Sequence, residues 1–277
     1  MGSALFVYMT QRNMIDKKGK SAMKLGFIGT GIITAAVATG FCESGIDGLC
    51  IIVSPRNRER AQALRERYPD MISVAADNQE VVDQSDWVFA ALLPAAAEEV
   101  IAGLTFPPEK HFINLVATLS LKRAEELIGK RAIIADVVPL TFAANRFGPV
   151  VIYPPIPEVR DLMSHVGTPV LVETPDQIAI LRSVTGLMSA YYMLLTRLTD
   201  WCVDHGLDEP TARKYVTAFT SALSEKASAW PGPLEELARE MTPGGLNWMG
   251  LTHLEEKDAF GPWTEILGPV LEKVKKE

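Results

Sequence analysis

The segment Gly26-Phe27-Ile28-Gly29-Thr30-Gly31-Ile32-Ile33-Thr34 joins an apolar run to two closely spaced glycines. A chain that leaves a buried strand and enters a helix through such a turn can hold phosphate, and each position has its own task. Gly29 lets the chain turn tightly off the strand. Gly31 lets the backbone approach a diphosphate with no Cβ in the way. The free N–H groups of Ile32 and Ile33, at the start of the helix, complement negative charge. Thr34 stands where a third glycine is usual, and that position governs only how closely helix and strand pack. Gly29, Thr30, Gly31, Ile32 and Ile33 are therefore candidate phosphate-binding residues. Replacing Thr34 by Ala should leave nucleotide affinity nearly unchanged, whereas Gly31→Val should abolish it.

The next apolar run ends in Val53-Ser54-Pro55-Arg56-Asn57-Arg58. A site for NAD usually places an acid there, to hold the ribose hydroxyls. Here there is none. Arg grips a phosphate by paired hydrogen bonds, which suits the 2′-phosphate of NADP. The expected cofactor is NADP (NADPH), with Ser54, Arg56 and Asn57 on its ribose end. Leu93, Pro94 and Ala117, at the ends of the fourth and fifth expected strands, complete the candidate cofactor set.

These residues need a scaffold, and the patterning supplies one. Apolar runs of strand length at Lys24–Ile28, Leu49–Val53, Trp87–Leu93, His111–Val116 and Ala132–Val137 alternate with helical stretches. The latter cover Ile32–Ser44, Arg58–Tyr68, Asn78–Ser85 (capped by Asn78), Ala95–Leu104 and Leu121–Ile128. Ser73–Ala75 is a weaker strand. Continuous rather than alternating apolar strands fit a doubly wound parallel sheet covered on both faces. After Pro139 two more strands flank a short helix. From Gln177 onward only helical patterning remains.

Residues 1–22 read as an extension, 23–174 as the nucleotide-binding domain and 175–277 as a helical domain. Gln177–Leu207 reads as one helix, apolar over most of its circumference, and such a helix must be buried on all sides. In a domain of this size that points to a homodimer.

Composition narrows the function classes. The chain has 277 residues and a net charge of −7, with no basic cluster strong enough for a nucleic-acid face. The apolar stretch Ala4–Met9 is too short to span a bilayer. Three scattered cysteines and four scattered histidines give neither a disulfide framework nor metal-ligand spacing. A reducing cytoplasm is the simplest location.

From about Met23 to Lys276 the chain resembles the pyrroline-5-carboxylate reductases. The resemblance rests on Gly26–Gly31, the Arg56-Asn57 element, Val137-Val138-Pro139, the helix opening Thr185-Gly186-Leu187-Met188-Ser189-Ala190-Tyr191, Gly206-Leu207 and Thr242-Pro243-Gly244-Gly245. It implies an N-terminal Rossmann-type α/β domain, an all-helical dimerisation domain, and hydride transfer from NADPH to the C=N bond of a cyclic imine acid, a step of the proline-biosynthesis type.

On the residues themselves, Thr185 and Ser189 offer hydroxyls at a helix start, where a substrate carboxylate fits, and Tyr191, or Tyr192 beside it, is a candidate proton donor. Thr185, Ser189 and Tyr191 are the candidate catalytic residues. Leu140, Leu187, Met188, Leu246 and Asn247 depart from the family pattern toward larger or apolar groups, so a bulkier substrate is expected. An oxidoreductase acting on a keto acid or of the deazaflavin-dependent type, and a non-catalytic NADP-binding regulator, are the competing readings.

Overall fold

The computed structural model describes residues 23–129 and 133–276. The expected extension over residues 1–22 lies outside them. The described chain forms two compact units, one ending at Ile178 and one beginning at Ala179.

The first unit is built on eight strands: β1 (Met23–Ile28), β2 (Leu49–Val53), β3 (Ile72–Val74), β4 (Trp87–Ala90), β5 (His111–Asn114), β6 (Ile134–Val138), β7 (Pro149–Tyr153) and β8 (Thr168–Leu171). They lie in the order β3-β2-β1-β4-β5-β6-β7-β8. All neighbours are parallel except β6 and β7, which run antiparallel with Asp136 opposite Tyr153. The connection between β6 and β7 holds only a single 3-10 turn, Thr141–Asn145, too short for the crossover a parallel pair requires. The doubly wound sheet expected from the sequence is thus present, with its last two strands, β7 and β8, reversed.

Helices α1 (Ile32–Cys42), α2 (Arg58–Arg67), α3 (Asn78–Gln84), α4 (Pro94–Ala102), α5 (Leu121–Ile128) and α6 (Pro157–Met163) cover the sheet. Two apolar layers result. On one face Leu25, Phe27, Phe89, Ile113 and Val137 pack against Val37 and Phe41 of α1, Leu64 of α2 and Met163 of α6. On the other, Ile28, Val88 and Phe112 pack against Val81 of α3, Ile101 of α4 and Ala124 of α5. At the centre Phe27 and Phe89, on adjacent strands, stack with ring centroids 4.7 Å apart. Strands covered on both faces are apolar without a break, which is why the runs were readable.

Several boundaries differ from expectation. β4 stops at Ala90 and β5 at Asn114, earlier than Leu93 and Val116, because Pro94 opens α4 and residues 91–93 leave the sheet to form the rim of a cavity. The cap of α3 is Asp77, whose carboxylate accepts from the Glu80 amide at 2.8 Å, rather than Asn78.

The second unit is helical. It comprises most of α7 (Pro175–Thr185), then α8 (Met188–Asp204), α9 (Glu209–Ala229), α10 (Leu234–Ala238), α11 (Leu246–Glu256), α12 (Gly261–Glu265) and α13 (Leu267–Lys276). The single long helix expected over Gln177–Leu207 is broken at Gly186-Leu187. There the amides of Gly186 and Leu187 donate three residues back, to Ser183 and Val184, and helical bonding restarts from the Leu187 carbonyl. The β-branched pair Val184-Thr185 precedes the break, and the Thr185 hydroxyl donates to the Arg182 carbonyl at 2.6 Å. A Cβ on Gly186 would sit 3.3 Å from Val270, so glycine also serves close packing onto α13. Nor is α8 enclosed within its own chain: Tyr192, Met193, Leu198 and Trp201 are all exposed, Trp201 at 62%.

Candidate functional site

Strand order reverses at β1, which sends the chain to β2 on one side and is flanked by β4 on the other. In open α/β sheets the crevice beyond the carboxyl ends of the strands at this reversal is where ligands sit. A cavity of about 700 Å³ lies there. It is lined after β1 by Gly29 to Thr34, after β2 by Arg56 to Arg60, after β4 by Ala91, Leu92 and Leu93, and after β5 by Leu115.

The two glycines of the turn do different work. Gly29 has φ +93°, a backbone state that L side chains rarely adopt, and a Cβ there would collide with the Ala91 carbonyl. Gly31 has φ −87° and nothing within 4 Å of where a Cβ would stand. The fold therefore needs glycine at 29. At 31 it does not; a side chain there would only occupy open space on the wall of the cavity.

Thr34 turns out to be more than a packing residue. It is fully buried, and its hydroxyl donates to the Gly29 carbonyl at 2.6 Å, tying helix α1 back to the turn. Ser54 completes the tie from the other side. Its hydroxyl accepts from the Gly29 amide at 2.9 Å, and Thr30 donates to its carbonyl at 2.7 Å. Ser54, fully buried, shapes the turn and is not among the residues that line the cavity.

The α2 end is cationic. Asn57 caps the helix, its side-chain oxygen accepting from the Arg60 amide at 3.1 Å. Capping directs Arg56, Arg58 and Arg60 around the helix start, where they line the cavity against one acid, Glu59. The Arg60 guanidinium also reaches the Thr30 carbonyl at 3.4 Å, which links the cationic rim to the glycine turn. Anions are favoured at such a helix start. Ile32 and Leu93 remain 65% and 72% exposed, apolar surfaces left open at the cavity mouth.

Of the candidate cofactor residues, Gly29, Thr30, Gly31, Ile32, Ile33, Arg56, Asn57 and Leu93 are brought together on this wall. Pro94 and Ala117 are not. Pro94 is the first residue of α4 and turns away with it, and Ala117 lies exposed in a turn held by Asn114. Thr34, Arg58, Arg60, Ala91, Leu92 and Leu115 line the cavity without having been among the candidates. The signal for Arg60 was its place one turn along a capped helix; for Leu115 it was the end of a strand next to the reversal.

The candidate catalytic residues belong to the second unit. Thr185 ends α7 with its hydroxyl bonded internally, while Ser189 and Tyr191 lie in the first turn of α8. That helix has Leu187 at its cap and no side chain satisfying its first amides. Tyr191 is 38% exposed, its ring 6.4 Å from that of Tyr192.

The sheet order, the glycine turn and the cationic rim define the class of Rossmann-type NAD(P)-dependent oxidoreductases. Within it, residues 24–118 match the family described as "NADP oxidoreductase coenzyme F420-dependent". Across nearly the whole chain the similarity is to pyrroline-5-carboxylate reductases. That of Corynebacterium melassecola is 28% identical over 251 residues, covering 86% of this chain and 92% of its own. In fold, the pyrroline-5-carboxylate reductase of Coxiella burnetii aligns with TM-score 0.79 at 20% identity, covering 92% and 98% of the two chains. The Plasmodium falciparum pyrroline carboxylate reductase, solved with NADP bound, aligns with TM-score 0.75 at 20% identity over 92% and 97%.

Proposed function

We propose that this protein is an NADPH-dependent reductase of a C=N bond in a cyclic imine acid, related in reaction to the pyrroline-5-carboxylate reductases it resembles. The observation that carries the reading is Gly31: a glycine the fold does not require, facing a cavity rimmed by three arginines. The amides after Gly31 hold the diphosphate. Arg56 and Arg58 hold the 2′-phosphate, with Arg60 bracing the turn from Thr30.

NADPH, when bound, supplies the hydride, and the protein's task is to orient and to provide charge and a proton. Ser189 and the uncapped first-turn amides of α8 suit a substrate carboxylate. The Tyr191 hydroxyl is the proton donor in this scheme, with Tyr192 the alternative. Thr185, its hydroxyl committed to Arg182, supports the helix start. Leu187 and Met188 make the helix start more apolar than the family pattern, which favours a substrate other than pyrroline-5-carboxylate itself.

A homodimer in the cytoplasm completes the proposal. The stretch Pro175–Asp204 is long and apolar enough by composition to cross a membrane. In this reading a second copy covers it, since contiguous exposed apolar surface of this kind marks an interaction site.

Titration of the purified protein with NADPH and NADH, read by tryptophan fluorescence, tests the cofactor assignment. Micromolar NADPH affinity, at least tenfold tighter than NADH, is expected. NADPH affinity no better than millimolar overturns it.

A further inference from the structure

The turn that closes the cavity beyond β5 is organised by one side chain. Asn114, 3% exposed at the end of that strand, accepts from the Val116 amide at 3.0 Å. Its amide nitrogen lies 3.2 Å from the Val116 carbonyl, 2.6 Å from the Leu119 carbonyl and 2.8 Å from the Asp136 carboxylate. The segment Leu115–Leu119 thus folds around Asn114, and its first residue, Leu115, walls the cavity. Asp136 stands on the neighbouring strand β6, directly opposite Asn114 in the sheet register.

Among the described residues no cation accounts for Asp136. The elements packed most closely against β6 are β5, β7 and α5. The first presents Asn114, and on β7 the register partner is the uncharged Tyr153. The charged residues of α5, Lys122, Arg123, Glu125 and Glu126, are exposed, and Arg123 is engaged by Glu98 and Glu126. Burial pushes the carboxyl up to about 6, opposed only by the Asn114 bond. A partly buried carboxylate with no cation opposite it, bonded to the amide that folds a cavity wall, is a costly arrangement for scaffolding alone.

We propose that Asp136 is a positioning residue for the cofactor cavity: its ionised carboxylate orients the Asn114 amide, which fixes the Leu115–Leu119 turn and so the wall formed by Leu115. A hydrogen bond to a charged acceptor is roughly twice as strong as one to a neutral acceptor. Protonation of Asp136 therefore loosens the turn, and the cavity holds its cofactor less tightly in mild acid. This rests on the reading that NADPH occupies the cavity.

The test compares wild type with Asp136→Asn, whose neutral amide reproduces the protonated state in shape. NADPH affinity is measured from pH 5 to pH 7.5 for both. The cofactor's own 2′-phosphate titrates in this range, but equally for the two proteins. At pH 7.5 the variant is expected to bind about fivefold more weakly, the ratio that follows from losing roughly 1 kcal/mol of a charge-assisted bond. At pH 5 the two curves meet. Amide hydrogen exchange over Leu115–Leu119, in protein without cofactor, should show the same convergence. In the background Asn114→Ala, adding Asp136→Asn should change neither readout.

A constant ratio between the two proteins at every pH, or coincident curves throughout, overturns the proposal. If NADPH does not bind wild type, the assignment of the cavity fails, and the exchange data still decide whether Asp136 governs the turn.

Discussion

At the scale of single residues the glycine turn separates structure from ligand. Gly29 is demanded by its φ of +93°, and Gly31 is demanded by nothing among the described residues. Gly31→Val is therefore expected to keep the thermal midpoint of the wild type and lose NADPH binding. Thr34→Ala should do the reverse, because it leaves the Gly29 carbonyl unpaired in a fully buried place. A loss of about 1–3 kcal/mol of stability, visible in denaturant unfolding, with affinity nearly retained, is the expected result.

The different demands on the two glycines were legible from their spacing, but the Thr34 bond was not, since a hydroxyl's partner depends on where the carbonyl of residue 29 points after the turn. Asp136 was equally hidden. It sits in an apolar strand pattern as one polar residue, and only the register opposite Asn114 reveals its role. Its folded-state pKa is raised from 3.8 to about 6, so the folded protein binds its proton more tightly than the unfolded chain. The stability it contributes is therefore greatest below pH 4, falls as the pH rises toward 6, and is level above that. The difference is of order 2–3 kcal/mol. Unfolding free energies of Asp136→Asn and wild type, compared between pH 4 and pH 7, should diverge in that window, the wild type losing more.

At the scale of elements, strand and helix types were legible because both faces of the sheet are covered and its strands are continuously apolar. The carboxyl ends were not, for a reason tied to the cavity. Leu92, Leu93 and Leu115 continue the apolar pattern while leaving the sheet to line a cavity, and apolar lining cannot be told from apolar core by periodicity. The break at Gly186 was hidden likewise by apolar residues on either side of it. Helix α2 shows the opposite case: Asn57, read in the sequence as a cofactor residue, caps the helix and so places the cationic rim. Replacing Arg56 and Arg58 together by Ala should raise the NADPH dissociation constant at least tenfold and leave that of NADH little changed, since charge-assisted bonds to the 2′-phosphate are worth about 1.5–3 kcal/mol. Equal losses for both cofactors in a binding titration would place the phosphate elsewhere.

At the scale of the whole molecule, a first unit with its own two-layered core stands in contrast to a helical unit rich in exposed aromatic and aliphatic side chains. Tyr192, Trp201, Tyr215 and Phe219 are each about half exposed or more. An apolar pattern around a helix states that something must cover it, and the chain does not state what. A second copy is the proposed cover, and Trp201→Glu should convert a dimer to a monomer in sedimentation experiments while the first unit keeps its NADPH affinity.

The reaction itself is tested most directly by following NADPH consumption with a panel of cyclic imine acids, from pyrroline-5-carboxylate to bulkier analogues, beside keto acids of matched size. NADPH oxidation with at least one cyclic imine acid is the predicted result. Turnover of a keto acid while every imine stays inert would contradict it.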